Sequence, residues 1–202
     1  MNLKGGILIT LAFDTALDKM YVVLKKDGVV VESRVVETTK EKYHSAYLVS
    51  TIAEVLDGQK PDLIAVNIGP GSFTGIRACV TVARVMAQQL GIQAVGVSSL
   101  EILSKINTTK KPVLAALDAR KDMAYLWQDG KIKGAVPVDE INTDGYFVIT
   151  DDRLQPVLGG VSYQKGDYPL GEILVDIAEE RGGTDWRELL PLYIQPPAIH
   201  VK

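Results

Sequence analysis

The chain has 202 residues, 47% of them apolar and 23% charged, and its formal net charge at pH 7 is −3. These proportions are typical of a globular protein that is long enough to bury a core without disulfides or metals. The negative charge excludes a protein that wraps nucleic acid unaided, because phosphate neutralisation requires clustered Lys and Arg. The single cysteine, Cys79, excludes an internal disulfide and favours a reducing, cytoplasmic compartment.

The first half of the chain shows strand signals followed by alternating helix and strand signals. In chain order the predicted elements are the strands Ile7–Phe13, Met20–Lys25 and Val29–Val36, the helix Tyr43–Leu56, the strand Leu63–Ile68, the helix Thr74–Leu90, the strand Gln93–Val97 and a short helix at 98–104. Asp27-Gly28 is a hairpin signal, so the first three strands are expected to form a meander. The first apolar run is too short to span a bilayer, and we expect no membrane association.

The second half repeats this opening pattern. Residues 11–28 and 115–130 each contain an apolar strand that ends in Asp, a polar turn, a strand that begins at Met and an Asp-Gly hairpin. Chance similarity between two hairpins is the alternative to a structural repeat. The predicted elements are strands at Pro112–Leu117, Met123–Gln128, Lys131–Val138 and Tyr146–Thr150, a helix at Leu170–Glu180 and a brief helix from Asp185. We therefore predict an α/β protein of two closely packed lobes, residues 1–105 and 106–202.

A glycine-rich loop, NIGPGSFTGIR, joins the strand at Leu63–Ile68 to the following helix. Its glycines at 69, 71 and 75 fit neither the P-loop spacing nor that of a dinucleotide-binding loop. Two interpretations remain. The glycines either make a tight, close-packed crossover, which we favour, or present backbone N–H groups to an anion at the helix N-terminus. Under the second interpretation the anion contacts are Gly69, Gly71 and Ser72.

The two long helices of the first half carry more apolar and small residues than one face against a sheet requires. On the second of them, polar residues form a single stripe, at Arg77, Thr81, Arg84 and Gln88. The surplus is covered either within the chain or by helices of a partner. Under the second alternative the partner surface consists of His44, Ala46, Tyr47, Ser50, Ile76, Val80, Ala83 and Ala87.

Catalytic residue patterns are sparse. The two histidines, His44 and His200, are too far apart in sequence to form a helix-borne metal pair, and Cys79 is predicted to be a buried small residue. Asp14 and Asp118 each follow a buried strand, where a carboxylate either caps its own turn or contacts a ligand. Arg120 is expected to neutralise Asp118. We predict no catalytic residue and no metal site, and only weak nucleotide contacts at the two aspartates.

Several strings together resemble the bacterial TsaB (YeaZ) family. They are IGPGSFTGIR at Ile68–Arg77, GVSSLEIL at Gly96–Leu103, LAFDT at Leu11–Thr15, Asp118-Ala-Arg120 and Pro191-Leu-Tyr193. The resemblance implies a two-lobed actin-like ATPase fold of the ribonuclease H-like kind. Each lobe would be a mixed sheet that starts with a three-stranded meander and is flanked by helices.

The resemblance also implies a role in forming N6-threonylcarbamoyladenosine at adenosine 37 of tRNAs that read ANN codons. Family members act as non-catalytic scaffolds that pair through the first lobe with TsaD, the catalytic paralogue. We expect the two first-lobe helices of this chain to dock either on TsaD or on a second copy of the chain as a homodimer. TsaE, an ATPase, joins the assembly, so ATP and a metal are expected on the partner subunits and none in this chain, and tRNA is contacted through the complex. The alternative is a small ATP-binding phosphotransferase with nucleotide between Asp14 and Asp118; a peptidase ranks last because the chain offers no convincing nucleophile or metal cluster.

Overall fold

The computed structural model describes residues 8–37 and 44–194, with side chains from residue 46 onward in the second range. This part of the chain contains ten strands, β1 (Ile9–Asp14), β2 (Lys19–Lys26), β3 (Val29–Glu37), β4 (Leu63–Gly69), β5 (Gln93–Ser98), β6 (Val113–Arg120), β7 (Met123–Gln128), β8 (Lys131–Pro137), β9 (Phe147–Thr150) and β10 (Val161–Ser162). Its α-helices are α1 (His44–Leu56), α2 (Phe73–Leu90), α3 (Ser99–Ser104), α4 (Gln155–Leu158) and α5 (Leu170–Arg181). The predicted starts at Ile7 and Tyr43 lie outside the described residues.

The first sheet has the strand order β3-β2-β1-β4-β5. The first three strands form an antiparallel meander, and β4 and β5 join it in parallel. Alternate residues of β2 face opposite sides of the sheet. Met20, Val22 and Leu24 belong to the core cluster that includes residues of α1 and α2, whereas Tyr21 and Val23 lie against Gly171 of α5. Helices therefore cover both faces of this sheet.

The second sheet repeats the plan with the order β10-β9-β6-β7-β8. Strands β6, β7 and β8 form an antiparallel meander, and β9 pairs in parallel with β6. Its separate core is built from apolar residues of the strands, of α4 and of the residue that precedes α4, namely Leu114, Ala116, Ala124, Leu126, Val148, Leu154 and Leu158. The structural repeat and the predicted two-lobed actin-like α/β fold are confirmed.

The structure differs from the predicted lobe division in one segment. The first compact unit ends at Ile102, close to the predicted boundary, but it also includes the stretch from Pro169 to Pro191. The prediction assigned that stretch to the second lobe, residues 106–202. The reason for the difference is α5, which contacts β1, β2, β4 and β5 of the first sheet and buries the apolar residues Leu174, Val175 and Ala178.

An ion cluster around the buried Lys25 fastens α5 to the sheet. The Nζ of Lys25 on β2 lies 2.6 Å from Asp176 Oδ1 and 2.9 Å from Glu179 Oε2, and the lysine is 9% exposed. Burial disfavours the charged ammonium, but hydrogen bonds to Asp176 and Glu179 outweigh burial and raise the pKa of Lys25. The lysine therefore stays charged and joins elements that are far apart in sequence.

Substitution Lys25→Met is expected to lower the free energy of unfolding by about 3 kcal/mol, because it leaves the half-buried carboxylate of Glu179 without its cation. Urea denaturation measures the loss. The double variant with Glu179→Met removes both charges and is expected to recover most of the stability. A double variant as unstable as the single one would show that lost packing, and not the uncompensated carboxylate, causes the effect.

None of the helices in the described residues is both long enough and apolar enough to cross a membrane.

Candidate functional site

The glycine-rich loop between β4 and α2 packs directly on the turn that follows β1. A Cβ atom at Gly75 would overlap the carbonyl oxygen of Thr15, and one at Gly71 would overlap that of Ala16. Thr15 Oγ1 also donates a hydrogen bond to Gly75 O at 2.8 Å, and Ser72 N donates to Ala16 O at 2.8 Å. The interpretation of these glycines as a close-packed crossover is confirmed. Anion binding at Gly69, Gly71 and Ser72 stays a prediction.

Asp14 lies at the centre of a buried polar network beneath this loop. Its side chain is 1% exposed, and its two oxygens accept hydrogen bonds from Ala16 N at 2.6 Å and Asn67 Nδ2 at 2.9 Å. Asn67 Oδ1 in turn accepts from Gly69 N at 2.8 Å and Ser99 Oγ at 2.9 Å. Asn67 was not among the predicted site residues, although an amide side chain inside the apolar strand β4 is a pattern from which a buried polar site could have been predicted.

The electrostatics of this network follow from burial. Burial raises the pKa of Asp14 to about 6, even though the hydrogen bonds from Asn67 and Ala16 act in the opposite direction. Burial also raises the pKa of the Cys79 thiol far above its ordinary value. The Cys79 sulfur accepts a hydrogen bond from Thr15 N at 3.1 Å, so it serves as a packing group. The prediction that Cys79 is buried is confirmed.

The raised pKa of Asp14 gives the protein an expected pH dependence. In the native state this carboxyl binds its proton more tightly than in the unfolded chain, so the native state is stabilised at low pH. That stability is lost as the pH rises from about 4 through 6. At 1.36 kcal/mol per pKa unit the loss amounts to about 3 kcal/mol by pH 7.5.

Urea denaturation between pH 5 and 7.5 measures this slope. The Asp14→Asn variant cannot titrate at this position, so its stability is expected to change less with pH than that of the parent chain. Both histidines are present in both proteins, so their titration does not enter the difference. Equal slopes in the two proteins would contradict the assignment.

In the second unit, Asp118 mainly orders its own turn. Its Oδ1 accepts a hydrogen bond from Arg120 N at 2.8 Å, which confirms the turn-capping interpretation. The expectation that the Arg120 side chain neutralises Asp118 is wrong. Arg153 NH1 makes that ion pair with Asp118 Oδ2 at 2.9 Å, because Asp151 holds the two segments together by accepting hydrogen bonds from Asp118 N and Arg153 N. Nucleotide contacts of Asp14 and Asp118 stay a prediction.

The structure changes the predicted partner surface on α2. Four assigned residues, Ile76, Val80, Ala83 and Ala87, are buried in the core of the first unit, so their assignment to the outer surface is wrong. They recur with the helical period and form the face turned toward the sheet. On α1 the assigned residues Ala46, Tyr47 and Ser50 are exposed, whereas the side chain of His44 and all of His200 lie outside the described residues.

An apolar groove runs between α1 and α2 on the outer side of these helices. Its cavity has a volume of about 250 Å³ and is lined by Val49, Ile52, Thr81, Val82, Val85 and Met86. Two of these side chains are strongly exposed, Val49 at 61% and Val85 at 54%. This α1–α2 groove presents an uncharged surface of the first unit to solvent.

Within residues 8–37 and 46–194, no three His, Cys, Asp or Glu side chains are arranged to hold a metal ion.

Comparisons with known proteins agree with the fold. The family model described as TsaD, tRNA N6-adenosine threonylcarbamoyltransferase, matches residues 31–146, which is more than half of the chain. The TsaB protein of Bacillus subtilis, a tRNA threonylcarbamoyladenosine biosynthesis protein, is 28% identical over 73% of this chain and 68% of its own length. The TsaB protein of Escherichia coli is 31% identical over 57% of this chain and 52% of its own.

Solved structures extend the likeness to nearly the whole chain. The YeaZ structure from Pseudomonas aeruginosa superposes with a TM-score of 0.72 at 25% identity, covering 92% of this chain and 99% of that one. A second structure from that organism, described as similar to the peptidase YEAZ, superposes with a TM-score of 0.71. The chain belongs to the family that the threonylcarbamoyltransferase model describes, and its relatives in sequence and structure are members of the TsaB (YeaZ) branch of that family.

Proposed function

We propose that this protein takes part in N6-threonylcarbamoyladenosine biosynthesis on tRNA as a non-catalytic subunit that docks on TsaD. The observation that carries the proposal is the α1–α2 groove, an apolar surface on the first unit with two strongly exposed valines. The TsaB relatives are named as biosynthesis proteins for this modification, which supports the same pathway.

The polar groups of the first unit support a structural role. Asp14 uses both carboxylate oxygens in hydrogen bonds within the chain, and its side chain is almost fully buried. Cys79 has a raised pKa and packs under the turn that Thr15 begins. Groups that resemble catalytic residues by type thus hold the glycine-rich loop and α2 in place, and α2 forms one wall of the α1–α2 groove.

Helix-on-helix packing explains why TsaD fits this groove. Long helices pack by inserting the side-chain ridges of one into the grooves of the other, and burial of Val49 and Val85 supplies about 25 cal/mol per Å² of apolar surface. The TsaD family model matches residues 31–146, which include α1 and α2. A paralogue built on the same plan would present a corresponding helix pair, so two related surfaces would meet about a pseudo-two-fold axis.

The test is reconstitution of the modification on an ANN-reading tRNA with TsaD and TsaE, in the presence and absence of this protein. We expect modification to require this chain, and we expect the chain to co-elute with TsaD. Full modification without it would refute the role of an essential subunit.

A second copy of this chain is expected to occupy the α1–α2 groove when TsaD is absent. Addition of TsaD should then replace a groove-mediated homodimer by the heterodimer, since both use the same surface. TsaE and tRNA are proposed to join through TsaD in the cytoplasm. A groove-mediated contact between two copies that persists at saturating TsaD, detected by a cross-link between cysteines placed at Val85, would contradict the shared surface.

A further inference from the structure

Strand β3 forms the outer edge of the first sheet among the described strands. It is nine residues long, contains no proline, and exposes three valines, Val29 at 63%, Val31 at 45% and Val35 at 53%. A long edge strand with apolar side chains offers a row of backbone N–H and C=O groups to another strand, and natural proteins usually protect such edges. The surface is separate from the α1–α2 groove and shares no residue with it.

The sequence of β3, VVVESRVVE, is nearly symmetric about Ser33. If two copies lie antiparallel with Ser33 opposite Ser33, Val31 of one copy lies opposite Val35 of the other, and Val30 lies opposite Val36. Directly opposed residues lie on the same face of an antiparallel pair. Val31 of each copy is therefore brought next to Val35 of the other, and an apolar cross-strand contact of this kind stabilises a sheet.

The charges of the strand fit the same register. Glu32 and Arg34 form an ion pair within one chain, so their side chains point to the same face. In the symmetric register Glu32 of each copy lies opposite Arg34 of the other, which gives two further attractive pairs related by the two-fold axis. Charges in an edge strand normally discourage pairing. Here they are complementary to a second copy of the same strand and not to an arbitrary one.

The pairing between β2 and β3 limits the length of such a contact. The register shifts between Leu24 and Lys25, where the partner residue changes from Glu32 to Val30. The residue that this shift leaves unpaired is Val31, so the bulge bends β3 at Val31 and the regular part of the strand begins at Glu32. The contact between copies is therefore centred on Glu32, Ser33 and Arg34, which carry the opposed charges, and Val31 and Val35 flank it.

We propose that two copies of this chain pair antiparallel through β3 in the register centred on Ser33, so that the first sheets of both copies become one continuous sheet. This contact is independent of the proposed function. It leaves the α1–α2 groove of each copy open, and an assembly of two copies can carry a TsaD subunit on each.

The first test measures self-association of the full chain by sedimentation over a concentration series, in a Val85→Glu background that blocks the groove. We expect Arg34→Glu to weaken dimerisation about tenfold, because Glu then lies opposite Glu twice. Glu32→Arg is expected to act likewise, and the double variant Glu32→Arg with Arg34→Glu is expected to restore the dimer. A chain that is monomeric in the Val85→Glu background, or a double variant no better than the single ones, would overturn the proposal.

A second test reads the register directly. Ser33→Cys places two thiols at the centre of the pair, where the Cα atoms of directly opposed residues are close enough for a disulfide. Oxidation is expected to give a cross-linked dimer of Ser33→Cys and none of Val35→Cys, whose thiols lie far apart in this register. Cys79 is fully buried and does not compete. Equal cross-linking of the two variants, or cross-linking of Val35→Cys alone, would overturn the register.

Discussion

The Val85→Glu variant is expected to lose binding to TsaD by roughly 100-fold while its fold stays intact. Val85 is 54% exposed and lines the α1–α2 groove, so the free chain tolerates a carboxylate there. In the complex the same carboxylate would be removed from water without a partner, and truncations or charges at the centre of an apolar interface cost several kcal/mol. Co-elution and calorimetric titration with TsaD measure the loss, and modification of tRNA is expected to fall with it.

Val157→Glu is the matched control for this variant. Val157 is 69% exposed and lies on α4 of the second unit, so the substitution introduces the same charge on a surface that the proposal does not use. We expect Val157→Glu to bind TsaD like the parent chain. If Val85→Glu also binds normally, the groove is not the docking surface, whereas a parallel loss in both variants would point to a nonspecific effect of charge.

Local sequence patterns were sufficient to predict the order of the elements. Strands β1 to β9 and helices α1, α2, α3 and α5 were predicted within a few residues, because each is an apolar run bounded by a turn or capping signal. Helix α4 has four residues and strand β10 has two, and segments this short show no periodic pattern of apolar residues. The return of α5 to the first unit depends on long-range contacts such as the one between Lys25 and Asp176, which no local pattern encodes.

The outer face of α2 could not be predicted because apolar residues occupy both sides of this helix. Cys79, Ala83 and Ala87 face the sheet, since small side chains let the helix approach it closely. The larger Val82, Val85 and Met86 line the outer groove. Ile76 and Val80 also face the sheet, so side-chain size does not separate the two faces, and only the position of the sheet decides between them.

The glycine-rich loop links the buried turn after β1 to the start of α2. Its glycines permit contact with the turn at Thr15 and Ala16, and this contact fixes where α2 begins. Since α2 forms one wall of the α1–α2 groove, the loop positions the proposed docking surface by fixing the start of this helix, although the loop itself does not line the groove. The sequence IGPGSFTGIR, which carries much of the family resemblance, thus acts through packing in this structure.

Substitution Gly75→Ala tests that packing role and is expected to destabilise the protein by more than about 4 kcal/mol. The new Cβ would overlap the carbonyl oxygen of Thr15, which belongs to backbone and cannot rotate away, so the start of α2 must move. Gly71→Ala, which would overlap the carbonyl oxygen of Ala16, is expected to have a smaller effect because it lies just before the helix. Gly58→Ala is the control, with open space around it and only a positive φ of 76° to oppose it, at a cost of about 1 kcal/mol.

Urea denaturation and the soluble yield of the three variants give the ranking. We expect Gly75→Ala to be the least stable and Gly58→Ala the most stable, and we expect TsaD binding to weaken in the same order wherever the variant remains folded. Displacement of α2 alters the spacing of Val49 and Val85 across the groove, so binding falls even before the fold is lost. A Gly75→Ala protein as stable as Gly58→Ala would show that the loop has room for a side chain, and the positioning role would then be wrong.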